Sequence, residues 1–124
     1  MSVGLPAASL LRPSELPWGE LGAGGGVSRV CRVITSEHSD TLGAGLCLFE
    51  RCSFPWRLTY DECVHVLEGE MEVEVEGESL RAGVGDVVFL RAGSEVTYRF
   101  EERCRLFYAT YPVNWDELLE VDGG

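Results

Sequence analysis

A chain of 124 residues has the length of one ordinary domain, and 45% hydrophobic with 25% charged residues is the make-up of a folded globular protein rather than a disordered one. Its 21 acidic residues outnumber its 10 basic ones, and the resulting charge of −11 repels a phosphate backbone, which argues against nucleic acid as a partner. All ten basic residues are arginine, so Schiff-base and P-loop lysine chemistry are excluded, and no apolar run reaches the ~20 residues of a membrane helix, which argues against a membrane partner.

In chain order, residues 1–26 read as an irregular lead-in to a single domain over 27–124. Three prolines and the GAGGG tract at 22–26 oppose a long regular element there, while PSEL at 13–16 can start one helical turn. MSVGLPAASLLRP lacks the basic and apolar regions of a secretion signal, so the expected location is cytoplasmic. Val27–Thr35 and Gly43–Glu50 read as strands. In GEMEVEVEGE, 69–78, Met71, Val73 and Val75 alternate with Glu70, Glu72, Glu74 and Glu76, which predicts a strand with one buried face and one acidic, solvated face. GVGDVVFLRAG (83–93), EVTYRF (95–100) and RLFYATY (105–111) follow at short spacing, the pattern of an all-β sandwich or barrel. A short helix is expected only at Trp115–Leu119, with Asn114 as its cap. The five cysteines, Cys31, Cys47, Cys52, Cys63 and Cys104, are odd in number and form no CxxC pair, so they read as buried thiols of a reducing compartment.

Two segments carry a resemblance to the cupins. Glu62, six residues and Gly69 match the second half of the first cupin motif, and Gly85 and Gly93 match the second motif. The segments FPWRLTYDE (54–62), VLEGE (66–70), GDVVFL (85–90) and YPVNW (111–115) further resemble, in order and spacing, the C-terminal cupin domain of the ethanolamine-utilisation EutQ family. The likeness spans roughly residues 27–115 and implies an all-β double-stranded β-helix, a jelly-roll barrel with a short N-terminal extension. The resemblance implies a further N-terminal region in the family protein, which is not expected within these 124 residues.

An ordinary metal cupin uses three histidines and one glutamate. Here Trp56 and Leu58, or in the alternative register Pro55 and Arg57, stand at the first two histidine positions, and Val96 stands at the third. Only Glu62 remains, so no metal and no other cofactor is expected. Alternation puts Phe54, Trp56, Leu58, Tyr60 and Glu62 on one face, and Val96, Tyr98 and Phe100 on another. The expected site is an aromatic pocket for a small organic molecule, with Trp56, Leu58, Val96, Tyr98 and Tyr108 binding it and Glu62 and Tyr60 as catalytic candidates. A carboxyl in such a pocket tends to hold its proton more tightly. The plainer alternative has Glu62 bonded to Tyr60 or a backbone amide with no chemistry, and Trp56 as a core filler. His65, three residues out of phase with Glu62, is expected on the opposite face, and His38 in a solvated loop. Alternation puts Tyr108 and Arg105 on opposite faces and leaves open which is inside.

The resemblance implies an acetate kinase of ethanolamine breakdown, associated with bacterial microcompartment components. The residues lend it little: phosphoryl transfer needs cationic clamps, and only Arg57, Arg91 and Arg105 lie near the motifs. Two other readings stand beside it. One is a ligand-sensing or assembly module that pairs as a homodimer through outer apolar residues such as Val87 and Phe89. The other is a metal enzyme with unconventional ligands drawn from Glu62, Tyr60, Tyr98 and Cys63.

Overall fold

The computed structural model describes residues 5–22 and 24–114. Ten strands run β1 Gly19–Glu20, β2 Val27–Ile34, β3 Gly43–Glu50, β4 Cys52–Arg57, β5 Asp61–Glu68, β6 Met71–Val75, β7 Glu78–Ala82, β8 Val87–Leu90, β9 Glu95–Phe100 and β10 Cys104–Tyr111. They form two antiparallel sheets, one in the order β1-β2-β3-β10-β5-β8 and the other β4-β9-β6-β7. Sequence neighbours such as β3 and β4, or β5 and β6, sit in different sheets, so the chain winds between two walls as a jelly roll does. The sole helical element among the described residues is the 3₁₀ turn Pro13–Glu15, where a turn was expected. Among these residues no helix is long and apolar enough to cross a membrane.

Alternation in the sequence becomes inside and outside here. Val64 and Val66 of β5, Met71 and Val73 of β6, Val96, Tyr98 and Phe100 of β9, and Leu106 and Tyr108 of β10 are all buried between the sheets. The acidic row of β6 lies outside, as its period predicts. Glu72 and Glu74 pair with Arg99 of β9, and Arg81 of β7 reaches Glu70 and Glu72. Such exposed pairs are screened by solvent and contribute little to stability. Val87 and Phe89 also point outward, 60% and 55% exposed.

Three details differ from the sequence reading. β7 went unrecognised because four of its five residues are exposed and carry no apolar alternation. It is joined to β6 by the two-residue turn Glu76–Gly77, both at positive φ, which matches the twist of the hairpin. Residues 1–26 are not all loose, since β1 pairs with β2 and Leu21 packs on the core. Finally, four cysteines are buried free thiols, but Cys63 is exposed because it alternates to the outer face of β5. The expected helix at Trp115–Leu119 lies outside the described residues.

Gly69 closes the turn between β5 and β6 at φ +81°, and a Cβ there would collide with the carbonyl of Arg103. Both facts require glycine. The VLEGE segment is therefore fixed by backbone geometry, and it anchors the end of β5, the strand that carries Glu62.

Candidate functional site

Phe54 to Glu62 does present alternate residues to the interior, but not from one strand. β4 ends at Arg57 and β5 begins at Asp61. The corner between them is pinned by the Leu58 N–H, which donates to the Ser94 carbonyl at 2.9 Å, and by the Gly93 N–H, which donates to the Leu58 carbonyl at 2.7 Å. Leu58 and Tyr60 stay 0% and 2% exposed through the bend, so the inward phase is kept from Phe54 to Glu62. The consequence is that two sheets contribute to one cavity: Phe54 and Trp56 come from one wall and Glu62 from the other.

That cavity has a volume of about 50 Å³, and the space around it reaches about 490 Å³ when the solvent at its open mouth is counted. Glu62 is the one charged side chain among the described residues lining it. Around the carboxyl stand Phe49, Phe54, Trp56, Tyr60, Tyr98, Phe100 and Tyr108, together with the thiol of Cys47 and several aliphatic side chains. The rings are set at varied angles. Phe54 lies edge-on to Trp56 at 5.9 Å between centroids and tilted against Tyr98 at 5.5 Å, while Phe49 stacks on Phe100 at 4.3 Å. Leu21 and Trp56 line the cavity yet remain only partly buried, which sets them at its open side.

Two hydrogen bonds orient the polar atoms. The Tyr98 hydroxyl donates to Glu62 Oε1 at 3.1 Å, and the Trp56 indole N–H donates to the Tyr60 hydroxyl at 2.7 Å. Glu62 thus accepts from Tyr98, a partner that the plainer reading, with Tyr60 or a backbone amide, did not name. Burial raises the Glu62 carboxyl from its ordinary 4.5 to about 7, against the opposing pull of the Tyr98 hydrogen bond. Burial, and secondarily the charge of Glu62, raise both Tyr60 and Tyr98, so neither phenol ionises near neutrality. Burial likewise raises the Cys47 thiol well above its usual range, which makes it a poor nucleophile. Among the described lining residues, Glu62 is the one whose carboxyl is brought to neutral pH, where it can exchange a proton.

Five of the seven expected site residues, Glu62, Tyr60, Trp56, Tyr98 and Tyr108, line the cavity. Leu58 and Val96 do not. Both belong to the buried core, Val96 opposite Trp56 in the β4–β9 ladder, but neither reaches the lining. Of the pair left open, Tyr108 is inside and Arg105 is on the outer phase of β10. Gly45 makes room for it: a Cβ there would meet the Tyr108 hydroxyl at 2.6 Å. The sequence reading missed Leu21, Val30, Cys47, Phe49, Val64, Met71 and Leu106 as lining residues. Most were readable from strand phase, since Val64 alternates with Glu62 and Cys47 with Phe49, but Leu21 sits in the irregular lead-in with no periodic signal. Arg57 is exposed at the end of β4 and is not among the lining residues. His65 is on the outer phase of β5, whereas His38 is not simply solvated, because its Nδ1 accepts the Thr35 N–H at 3.2 Å and closes a turn.

The residues present do not suit the metal of ordinary cupins. Among the described residues no three His, Cys, Asp or Glu side chains converge. Trp56 fills one histidine position with a ring already bonded to Tyr60, and Cys63, one of the unconventional ligands considered, points out of the barrel.

Comparison with known proteins agrees with this architecture. Residues 19–117 match the family described as ethanolamine utilisation protein EutQ. Over 86 residues the chain is 36% identical to the acetate kinase EutQ of Escherichia coli, covering 69% of this chain and 37% of that protein. The chain spans between 37% and 53% of the length of the curated relatives it matches. Among solved structures, the ethanolamine utilisation protein EutQ of Salmonella typhimurium superposes with a TM-score of 0.76 at 31% identity, over 85% of this chain and 86% of that one. An RmlC-like cupin from Shewanella frigidimarina gives 0.72 at 17% identity, over 86% of this chain and 92% of that one, a likeness of fold alone. Motifs, barrel and relatives converge: the chain belongs to the EutQ family of ethanolamine utilisation proteins and has the cupin fold.

Proposed function

We propose that this barrel binds one small organic molecule in its aromatic cavity, in the service of ethanolamine and acetate metabolism, with Glu62 as the group that contacts it. The observation that carries this reading is a single proton-exchanging carboxyl, oriented by Tyr98, in a cavity otherwise lined by rings and aliphatic side chains. Such a lining, apolar with a few placed polar atoms, is the usual character of a small-molecule site. Trp56, Tyr60, Tyr98 and Tyr108 shape the space, and Glu62 with Tyr60 are the catalytic candidates if the bound molecule is transformed. A calorimetric screen of small alcohols, amines, aldehydes and carboxylates tests this. Saturable binding that Glu62→Gln weakens by at least about tenfold supports the assignment, and binding indifferent to that change contradicts it.

A second reading is acetate kinase activity, favoured by the name of the 36%-identical relative. It demands cations around the transferred phosphoryl group. No arginine or histidine is among the described residues lining this cavity, so that activity would have to be built elsewhere or by the remainder of a longer protein. Incubation with ATP, Mg²⁺ and acetate, with acetyl phosphate as the readout, separates the two. We also propose that two copies pair through the outer face bearing Val87 and Phe89, which sedimentation of wild type against Phe89→Glu tests.

A further inference from the structure

The electrostatics of the cavity are one-sided. Its lining among the described residues holds one carboxyl and no cation. Aromatic faces carry negative charge and attract cations, more strongly when water is excluded. A carboxylate or phosphate placed here would meet Glu62 with no cation among the described lining residues to neutralise either charge, a costly arrangement; Arg32, whose charge reaches Cys47, is exposed on β2 outside that lining. An ammonium group would meet both an opposite charge and ring faces.

Accepting that the barrel binds a small molecule, we infer that its cavity selects an organic monocation, a primary or methylated amine with a short apolar tail. The ammonium sits against the Glu62 carboxylate, and the tail lies among Phe54, Trp56 and Tyr98. Binding is then linked to protons. The other titratable groups among the described lining residues are the hydroxyls of Tyr60, Tyr98 and Tyr108 and the thiol of Cys47. Tyr60, Tyr98 and Cys47 are all held in their neutral forms by burial. Glu62 is thus the group that must lose its proton for the cation to bind.

The test is titration calorimetry with propylammonium, tetramethylammonium, propan-1-ol and propionate, one pH unit below and one above the Glu62 midpoint. At the higher pH at least one of the two cations binds about tenfold tighter than propan-1-ol, and propionate binds more weakly than either. Cation affinity falls about tenfold at the lower pH, because only about a tenth of the carboxyl is then ionised. Glu62→Gln removes the cation preference and the pH dependence together. A circular dichroism spectrum and a cooperative thermal melt like those of the wild type guard against a folding defect in Glu62→Gln. Propan-1-ol binding as tightly as the amines at the higher pH overturns the cation inference while leaving the cavity a small-molecule site. Failure of both cations to bind also overturns it, and the wider screen then decides separately whether the cavity takes any ligand.

Discussion

Glu62 and Glu72 have the same side chain and lie ten residues apart, yet they occupy opposite electrostatic worlds. Glu72 faces solvent on β6, where the Ser79 hydroxyl donates to it at 2.6 Å and Arg81 and Arg99 flank it, and its carboxyl is held below the ordinary value. Glu62 faces the cavity from β5 and its carboxyl is raised to about 7 by burial. The only cause is phase: one residue of register decides whether a strand carboxylate is a solubilising charge or a proton-exchanging group. The lesson is that the count of acidic residues says little about chemistry here, while the single acid out of step with water says most.

The difference between inside and outside is broken most severely by removing a ring. Phe100→Ala, which deletes a side chain stacked on Phe49, is expected to cost about 3–5 kcal/mol in denaturant unfolding, whereas Val84→Ala, at an exposed turn, costs about 0.5 kcal/mol or less. Equal losses would mean the cavity wall is not a packed core.

Next in size is the pH dependence of stability. Glu62 has a higher pKa folded than unfolded, so the folded state binds the extra proton. Its influence is absent below pH 4.5, destabilises progressively as pH rises toward about 7, and is constant above that. Across this window wild type is expected to lose about 3 kcal/mol relative to Glu62→Gln. Parallel stability curves for the two proteins would contradict the burial of this carboxyl.

Gly69→Ala is expected to cost about 1–3 kcal/mol, since it adds both a left-handed backbone penalty and a clash with the Arg103 carbonyl. The smallest effect is that of Glu72→Gln, and it carries the opposite sign of pH dependence. Because the Glu72 pKa is lowered by folding, its contribution is present at neutral pH, fades as pH falls through the carboxylate range, and weakens in high salt. A thermal melt series in salt and pH checks it.

Much of this was legible in the sequence. Strict alternation gave the inner and outer faces of β6, β9 and β10, and the spacing from Glu62 to Gly69 placed the carboxyl and its turn. What was hidden had physical causes. The break between β4 and β5 was invisible because Leu58 and Tyr60 keep the two-residue phase through the corner. β7 was invisible because exposed residues carry no pattern. Leu58 and Val96 were read as ligand contacts because strand phase tells inside from outside, but not which interior residues border empty space. The choice of Tyr98 over Tyr60 as the partner of Glu62 depends on how two sheets face each other, which no local period encodes.

The central claim is that Glu62, half-buried on the cavity side of β5, is a proton-exchanging carboxyl at neutral pH. Its most direct test is a carbon NMR titration of the Glu62 side-chain carboxyl, assigned by its loss in Glu62→Gln. A midpoint near 7, far above that of Glu72 in the same spectra, is the predicted result. A midpoint at the ordinary 4.5 would contradict the desolvated setting from which the cavity's proton chemistry is argued.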